Sequence, residues 1–392
     1  MTLLFLLVSL FVLFLPDLYI WFAFVRRNVG RGWKIVYWIP TLLALAALSC
    51  WLGGLYHDGV TRLFFGLLMC IAVPKLIFVL CSLAGRGIGL LVPHAGRVGT
   101  AIGAVAAIAV CAACCYGFTR GWKRLVVQET TILSSELPPA FDGYRIVHLS
   151  DLHIGTFGGD TAYVRQLVER VNALRPDLIL FTGDLVNAST DELDPYVGIL
   201  SQLRAPDGVC SVLGNHDYCT YRRYDRPDGA ARNTAELIRR QGEMGWEVLL
   251  NEHRTVRRGR DSLFVIGVEN DSRPPFPSRG DLPQALRGVP EGAFKILLSH
   301  DPSHWRREVL PASNIQLTLS GHTHAMQLKV GRFSPSRWSY PEWGGLYREG
   351  DRQLFVSLGL GGTIPFRFGA WPEIDLLILR RENRPENTNL AQ

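Results

Sequence analysis

The first 117 residues alternate long apolar stretches with short polar segments. Four stretches are long enough to cross a hydrocarbon core of about 30 Å as helices. The predicted spans cover 2–25, 35–56, 63–84 and 98–116. Only Asp17 and Lys75 carry a charge within them. Such charges mark ion or substrate paths in some membrane proteins. We favour a structural explanation, in which Asp17 and Lys75 pair with each other, or in which Asp17 lies near a helix end and Lys75 extends to the bilayer surface.

The pattern changes after residue 117 to short apolar runs, several of them bounded by turn residues, which predict buried strands. These runs are 144–150, 177–182, 208–213, 262–268, 295–299, 315–320, 353–358 and 373–379. Between the first two lies a helix pattern that Asp160 can cap and that Pro176 follows. Residues 191–203 and 233–245 predict further helices. Strands that alternate with helices are typical of a layered α/β fold.

These patterns divide the chain of 392 residues into four parts. We expect a four-helix transmembrane module (1–117), a juxtamembrane linker (118–140), an α/β domain (141–380) and a polar tail (381–392).

The net charge of +6 lies entirely in the predicted membrane module, which holds eight Lys or Arg and two Asp or Glu. The rest of the chain holds 33 basic and 33 acidic residues, so its composition does not favour a nucleic-acid partner and we expect none. Basic residues in the first and third short loops outnumber those on the other side, six to four. This bias predicts that those loops are cytoplasmic and that the α/β domain is extracytoplasmic.

Clusters of Asp, Asn and His directly follow five of the predicted strands. The motifs are DLH (151–153), GDLV (183–186), GNHD (214–217), SHDP (299–302) and GHTH (321–324). Because the carboxyl ends of strands in an open α/β sheet meet at one crevice, we expect these side chains to lie together. Oxygen and imidazole ligands without thiolates suit Mn²⁺, Fe²⁺ or Zn²⁺. Seven candidate ligands exceed one tetrahedral site and indicate a pair of ions.

Taken together and in this order, the five motifs resemble those of the calcineurin-like metallophosphoesterase superfamily. The resemblance covers about 151–324 and implies a four-layer α-β-β-α sandwich, here preceded by the four-helix transmembrane module. It implies one metal on Asp151, His153 and His324, and a second on Asn215, His300 and His322. Asp184 would bridge the two ions, for which we expect Mn²⁺ first, with Fe²⁺ or Zn²⁺ as alternatives.

The same resemblance implies a hydrolase in which a metal-bound hydroxide attacks phosphorus in line. His216 would act as general acid or charge stabiliser at the leaving oxygen, and Asp217 would orient it. Arg367 is a candidate for binding a substrate phosphate, with a structural salt bridge as the alternative.

The later sequence is similar to a bacterial membrane-associated phosphodiesterase branch, which favours a multi-pass protein of the bacterial inner membrane. That branch typically has GHTHGGQ, whereas Ala325 and Met326 replace two glycines here. We expect a phosphodiester or pyrophosphate substrate, with phospholipids and nucleotide-linked lipids among the candidates. The alternative is a transporter or receptor whose phosphoesterase domain is accessory or non-catalytic.

Overall fold

The computed structural model describes residues 3–52 and 58–382 of the chain. The predicted second span continues into residues 53–56, and the predicted tail continues beyond residue 382, so these parts lie outside the described residues. The chain divides into two compact units. The first is 1–121 with 364–368, and the second is 122–363 with 369–392.

The first unit is helical, as its apolar stretches predict. Its helices are α1 (Leu3–Ile20), α2 (Arg31–Leu52), α3 (Asp58–Leu67), α4 (Val73–Ile88) and α5 (Ala95–Thr119). A π-helical segment, Trp21–Val25, extends α1, and another, Leu68–Ala72, joins α3 to α4. Within the described residues, four helical stretches are therefore long and apolar enough to span a membrane, in agreement with the predicted number.

The two charges inside the predicted spans form a pair. Lys75 Nζ lies 2.6 Å from Oδ1 of Asp17, whose side chain is fully buried. The Tyr37 hydroxyl donates to the same oxygen at 3.0 Å, and the Thr41 hydroxyl donates to Oδ2. Since a charge in hydrocarbon is costly unless it is paired, these contacts explain how the module holds both residues. Of the two alternatives that the sequence favours, the structure shows the mutual pair.

The second unit is built on two six-stranded sheets. Its strands are β1 (Val126–Ser134), β2 (Arg145–Leu149), β3 (Leu178–Phe181), β4 (Val209–Ser211), β5 (Trp246–Val248), β6 (Glu252–Arg258), β7 (Asp261–Gly267), β8 (Phe294–Leu298), β9 (Leu317–Ser320), β10 (Gly345–Glu349), β11 (Arg352–Val356) and β12 (Glu373–Arg381). The strand orders are β1-β12-β2-β3-β4-β5 and β10-β11-β9-β8-β7-β6. Strands β2 to β5 run parallel in the first sheet, and β7, β8, β9 and β11 run parallel in the second.

Three apolar cores separate four layers. The two sheets pack face to face through residues such as Leu180 and Ile296, both fully buried. The outer face of the first sheet packs on α6 (Thr161–Ala173), which Asp160 caps by accepting from the Ala162 N–H. The outer face of the second sheet packs around Trp305, in the π-helical segment Trp305–Val309. The predicted four-layer α-β-β-α class is therefore confirmed.

The remaining helices are α7 (Val197–Leu200), α8 (Gly229–Glu243), α9 (Leu282–Ala285) and α10 (Leu310–Ala312). The segment expected as a linker, 118–140, differs from that expectation. Strand β1 occupies 126–134 of it and pairs in parallel with β12 along nine residues. One side of its backbone therefore forms its hydrogen bonds within the sheet, and this part of the segment belongs to the α/β domain. At the other end, β12 continues to Arg381, one residue into the expected tail.

Candidate metal centre

Five strand ends bring the predicted ligands together. Asp151, Asp184 and Asn215 follow β2, β3 and β4 of the first sheet. His300 and His322 follow β8 and β9 of the second. Because the two sheets pack face to face, their parallel strands deliver these side chains to one crevice, as expected for the carboxyl ends of α/β strands.

A first donor set consists of Asp151, His153, Asp184 and His324, whose ligand atoms all lie within 4.8 Å of one another. The Nε2 atoms of His153 and His324 are 3.2 Å apart. His324 Nε2 is 3.3 Å from Asp151 Oδ1, and His153 Nε2 is 3.5 Å from Asp184 Oδ2. These are the residues that the resemblance assigns to one metal.

A second donor set consists of Asp184, His300 and His322, joined by Asn215. His300 Nε2 lies 3.2 Å from Asp184 Oδ2 and 3.3 Å from His322 Nδ1. His322 Nδ1 lies 2.9 Å from the side-chain oxygen of Asn215. Oδ2 of Asp184 is thus common to both sets, as the predicted bridging ligand requires.

The donor chemistry fits divalent cations. Metal–ligand bonds of about 2.1 Å place neighbouring donors roughly 3.0–3.4 Å apart around an ion, and the separations within each set fall close to that range. Ring nitrogens that face one another at 3.2–3.3 Å are well placed to share a cation. All seven predicted ligands belong to one set or the other.

Hydrogen bonds behind the ligands orient them toward the centre. Nδ1 of His300 bonds the Thr182 carbonyl at 2.8 Å, which leaves Nε2 as the donor to a metal. Nε2 of His322 bonds the Tyr340 hydroxyl at 2.7 Å, which leaves Nδ1 of His322 as the donor to a metal. Oδ1 of Asp184 accepts the His216 backbone N–H at 2.8 Å, so Oδ2 faces both sets.

The electrostatics of the centre favour positive charge. Burial opposes protonation of His300, but the charges of Asp184 and Asp151 raise its pKa to about 10. Burial raises the pKa of Asp151 to about 6. Burial also acts to raise the pKa of Asp184, but the nearby histidines His300 and His216 hold it well below the usual range. The buried carboxylates therefore favour a positive charge at the centre, and divalent ions would supply that charge.

The backbone at the ligands is strained. Five of the seven ligands have positive φ. They are Asp151 (52°), His153 (44°), Asp184 (57°), His322 (70°) and His324 (49°). Left-handed backbone costs an ordinary residue roughly 1–2 kcal/mol, and such strain concentrates at functional sites. Close packing adds a constraint, since a Cβ at Gly321 would overlap Ser150 Oγ and Asp151 Oδ2.

His216 lies beside both donor sets, but Asp217 does not orient it as the sequence suggests. The ring of His216 is 4.7 Å from that of His153, and its Nδ1 bonds the Asn187 carbonyl at 2.6 Å. Both oxygens of Asp217 instead accept backbone N–H groups, including those of Asp184 at 2.7 Å and Gly214 at 2.9 Å. The buried Asp217 carboxylate thus holds two ligand-bearing loops together, and Asn187 orients the imidazole.

Arg367 lies outside both donor sets. It is buried, and its segment 364–368 groups with the helical unit, where its backbone N–H bonds the Gly117 carbonyl at 3.3 Å. Its role in substrate binding stays a prediction.

Two tyrosines contact the centre although no motif contains them. The hydroxyl of Tyr221 accepts from Asn215 Nδ2 at 2.9 Å, and its ring stacks on His216 at 4.2 Å. Tyr340 bonds His322, as described above. The sequence signal for Tyr221 is its place in the segment 218–233, a polar insert that directly follows GNHD.

Comparison with known proteins matches both parts of the chain. Residues 144–326 match the family model described as calcineurin-like phosphoesterase. Residues 1–122 match a second model, described as a probable calcineurin-like phosphoesterase transmembrane domain.

Three relatives illustrate the range of the similarity. The uncharacterized metallophosphoesterase YkuE of Bacillus subtilis (strain 168) is 31% identical over 72% of this chain and 95% of its own length. A transmembrane protein with metallophosphoesterase domain of Danio rerio is 28% identical over 94% of this chain and 87% of its own. The UDP-2,3-diacylglucosamine pyrophosphatase LpxG of Chlamydia trachomatis serovar D is 28% identical over 64% of this chain and 88% of its own.

These matches cover the strands whose ends carry the donor sets, and the helices that precede them. The two sheets, the ligand motifs at their strand ends and the similarity to YkuE all lead to the same assignment. The chain is a membrane protein with a phosphoester hydrolase domain, and it belongs to the calcineurin-like phosphoesterase family.

Proposed function

We propose that this protein hydrolyses a phosphodiester or pyrophosphate with two divalent cations held by the two donor sets. The observation that carries the proposal is the position of Asp184 Oδ2, which lies 3.2 Å from His300 Nε2 in one set and 3.5 Å from His153 Nε2 in the other. A shared carboxylate of this kind can hold two ions close enough to act on one phosphate.

The chain's own residues have separate tasks in this proposal. Bound cations would lower the pKa of an attacking water and offset the charge that develops on the phosphate. Asp151, His153 and His324 would hold one cation, and Asn215, His300 and His322 the other. His216 presents Nε2 to the substrate because the Asn187 carbonyl holds Nδ1. In the imidazolium form, which carries a hydrogen on both ring nitrogens, it would donate the Nε2 proton to the leaving oxygen and remain as the neutral ring with Nδ1–H on Asn187.

We propose Mn²⁺ as the resident ion, with Fe²⁺ and Zn²⁺ as alternatives. The donors are carboxylate oxygens, one amide oxygen and imidazole nitrogens, without a thiolate. This mixture suits borderline divalent metals.

The proposed substrate is lipid-linked and meets the domain at the membrane. The helical unit supports this, because apolar helices in the same chain would tether a catalytic domain to a membrane. The similarity to LpxG, a UDP-2,3-diacylglucosamine pyrophosphatase, supports a pyrophosphate as a candidate bond. The positive charges of the first and third loops favour an extracytoplasmic domain in a cell membrane.

The test is metal-dependent hydrolysis of bis(p-nitrophenyl) phosphate by purified full-length protein. We expect Asp184→Ala to remove activity, because it deletes the donor common to both sets. Asp225→Ala, at an exposed aspartate of the insert after GNHD, is the matched control and should retain activity. Equal rates for wild type and Asp184→Ala would support the alternative, a non-catalytic scaffold attached to a transporter or receptor.

A further inference from the structure

A second cleft in the α/β domain, outside the donor sets, is strongly basic. It has a volume of about 390 Å³, and Arg273, Arg306, Arg307 and Arg337 line it beside a single carboxylate, Glu342. We call it the basic cleft. Its lining carries a formal excess of three positive charges, although residues 118–392 as a whole are neutral. A local concentration of one sign of charge in a concave surface attracts a ligand of the opposite sign.

The four arginines fall into two classes. Arg306 pairs with Glu342 and with Glu349, and Arg307 Nη2 lies 2.9 Å from Asp271 Oδ1. These two guanidinium groups are already engaged. Arg273 and Arg337 are exposed, and neither forms an ion pair within the part of the chain that the structure describes. Two guanidinium groups that lack carboxylate partners at a cleft are suited to bidentate contacts with a phosphate.

One side chain separates the basic cleft from the candidate metal centre. Tyr340 lines the cleft, and its hydroxyl lies 2.7 Å from Nε2 of the ligand His322. The ring of Phe276, three residues after Arg273, packs edge-on against His322 at 5.2 Å.

The dimensions and chemistry favour a group that belongs to the substrate. A phosphate held at the two donor sets would lie near Tyr340, and any second anionic group on the same molecule could reach the unpaired arginines. A volume of about 390 Å³ exceeds what one phosphate fills. Trp338, which is 77% exposed, adds an aromatic surface at the cleft.

We propose that the basic cleft binds a second phosphate group of the substrate through Arg273 and Arg337. This inference rests on the proposed function, since it concerns the molecule that is hydrolysed at the donor sets. The second phosphate has two sources, the neighbouring phosphate of a pyrophosphate or a separate phosphomonoester on the leaving group.

The first experiment is independent of catalysis. Inorganic pyrophosphate is titrated into full-length, metal-free protein in detergent, and binding is measured by calorimetry. Wild type should bind saturably, and Arg273→Gln/Arg337→Gln should bind at least about tenfold more weakly, because two charge-assisted contacts are lost. Arg287→Gln, at an exposed arginine outside the cleft, should bind like wild type. Absence of saturable binding, or equal affinity in the double variant, would overturn the proposal.

The second experiment identifies the source of the phosphate with three substrates for the metal-loaded protein. They are bis(p-nitrophenyl) phosphate, a pyrophosphate diester, and a phosphodiester with a phosphomonoester on its leaving group. The double variant should raise KM about tenfold for the substrate whose second phosphate enters the cleft and leave KM for the single-phosphate substrate unchanged. An equal effect on all three, or none on either two-phosphate substrate, would exclude a substrate subsite. Inactive wild type would instead refute the proposed function, while the binding experiment would still decide the role of the cleft.

Discussion

His216 is the proposed proton donor and is not one of the predicted metal ligands, so a substitution there tests proton transfer without removing a ligand. Its Nδ1 is held by the Asn187 carbonyl at 2.6 Å, and no described residue bonds its Nε2. Asparagine at this position keeps a polar side chain but cannot deliver a proton. We therefore expect His216→Asn to lower kcat by about 10²–10⁴-fold for a poor leaving group such as an alkoxide, and by much less for p-nitrophenolate.

The matched control for His216 is His253→Asn. His253 is a half-buried histidine on β6 whose Nδ1 also bonds a carbonyl, that of Ala285 at 3.0 Å. It should leave kcat unchanged for both leaving groups. An equal loss for good and poor leaving groups in His216→Asn would contradict the role of proton donor.

Tyr221 fixes the orientation of a predicted ligand. Its hydroxyl accepts from Asn215 Nδ2 at 2.9 Å, which directs the amide oxygen toward His322 Nδ1. Loss of such a supporting contact typically costs 10–100-fold in metal affinity. We expect Tyr221→Phe to weaken binding of the second cation by about tenfold while the first cation binds normally, as measured by metal titration.

Tyr224→Phe serves as the control for Tyr221, because Tyr224 lies in the same insert but its hydroxyl bonds the Ala188 carbonyl, at 3.3 Å, and not a predicted ligand. It should bind both cations like wild type. If Tyr221→Phe also binds like wild type, the tyrosine does not position Asn215.

Sequence motifs predict which side chains lie together at the centre, but they do not predict the contacts that support those side chains. Asp151, Asp184 and His322 were predictable because each directly follows an apolar strand and because the order of motifs is specific. Asp217 illustrates the limit. Its place next to His216 suggests a carboxylate–imidazole contact. In the structure the carboxylate instead accepts the backbone N–H groups of Asp184, 33 residues earlier in the chain, and of Gly214. Whether a short side chain reaches a neighbouring ring or a distant loop depends on the fold.

At the level of elements, every predicted strand is present, and the four that were missed are the edge strands. Strands β1 and β5 border the first sheet, and β10 and β6 border the second. Strand β1 has mostly exposed or half-buried residues, and β6 reads EHRTVRR with one buried position. A strand with few neighbours buries little apolar surface, so its sequence lacks the run of apolar residues by which strands were predicted.

The backbone of the turn after GHTH is strained, and a glycine substitution should relieve that strain. Ala325 and Met326, which replace two glycines of the typical branch motif, have φ of 51° and 46°. The side chain of Met326 is 49% exposed, so its removal costs little packing. Because glycine adopts this backbone without the Cβ clash, Met326→Gly should raise the free energy of unfolding by about 1 kcal/mol, as measured by denaturant titration.

Val330→Gly is the control for Met326→Gly, because it places a glycine nearby at a residue whose φ is not positive. Val330 is 60% exposed but has no positive φ, so glycine there only adds freedom to the unfolded chain. It should lower the free energy of unfolding by about 0.5–1 kcal/mol. Destabilisation by both substitutions would show that the backbone at Met326 is not strained.

For the whole molecule, the first question is whether the helical unit does more than hold the chain in the membrane. Lys75 Nζ and Asp17 Oδ1 form an ion pair at 2.6 Å, and the Asp17 carboxylate also accepts hydrogen bonds from Tyr37 and Thr41. Asp17→Leu leaves Lys75 without its counter-ion and should lower thermal stability strongly. Asp17→Leu/Lys75→Leu should recover most of that loss, with a coupling of about 1 kcal/mol or more.

The double variant also tests the anchor interpretation. If the pair is structural, the folded double variant should hydrolyse a water-soluble diester at the wild-type rate. A stable but inactive double variant would assign the pair a part in function.

The most direct measurement for the molecule is the number of bound metal ions per active chain. Metal-free full-length protein is titrated with Mn²⁺ while bound metal and hydrolysis of bis(p-nitrophenyl) phosphate are followed in the same samples. We expect no activity without metal and full activity at two bound ions per chain, because seven ligands form two donor sets around Asp184. Full activity in metal-free protein, or saturation at a single ion, would contradict the dinuclear centre.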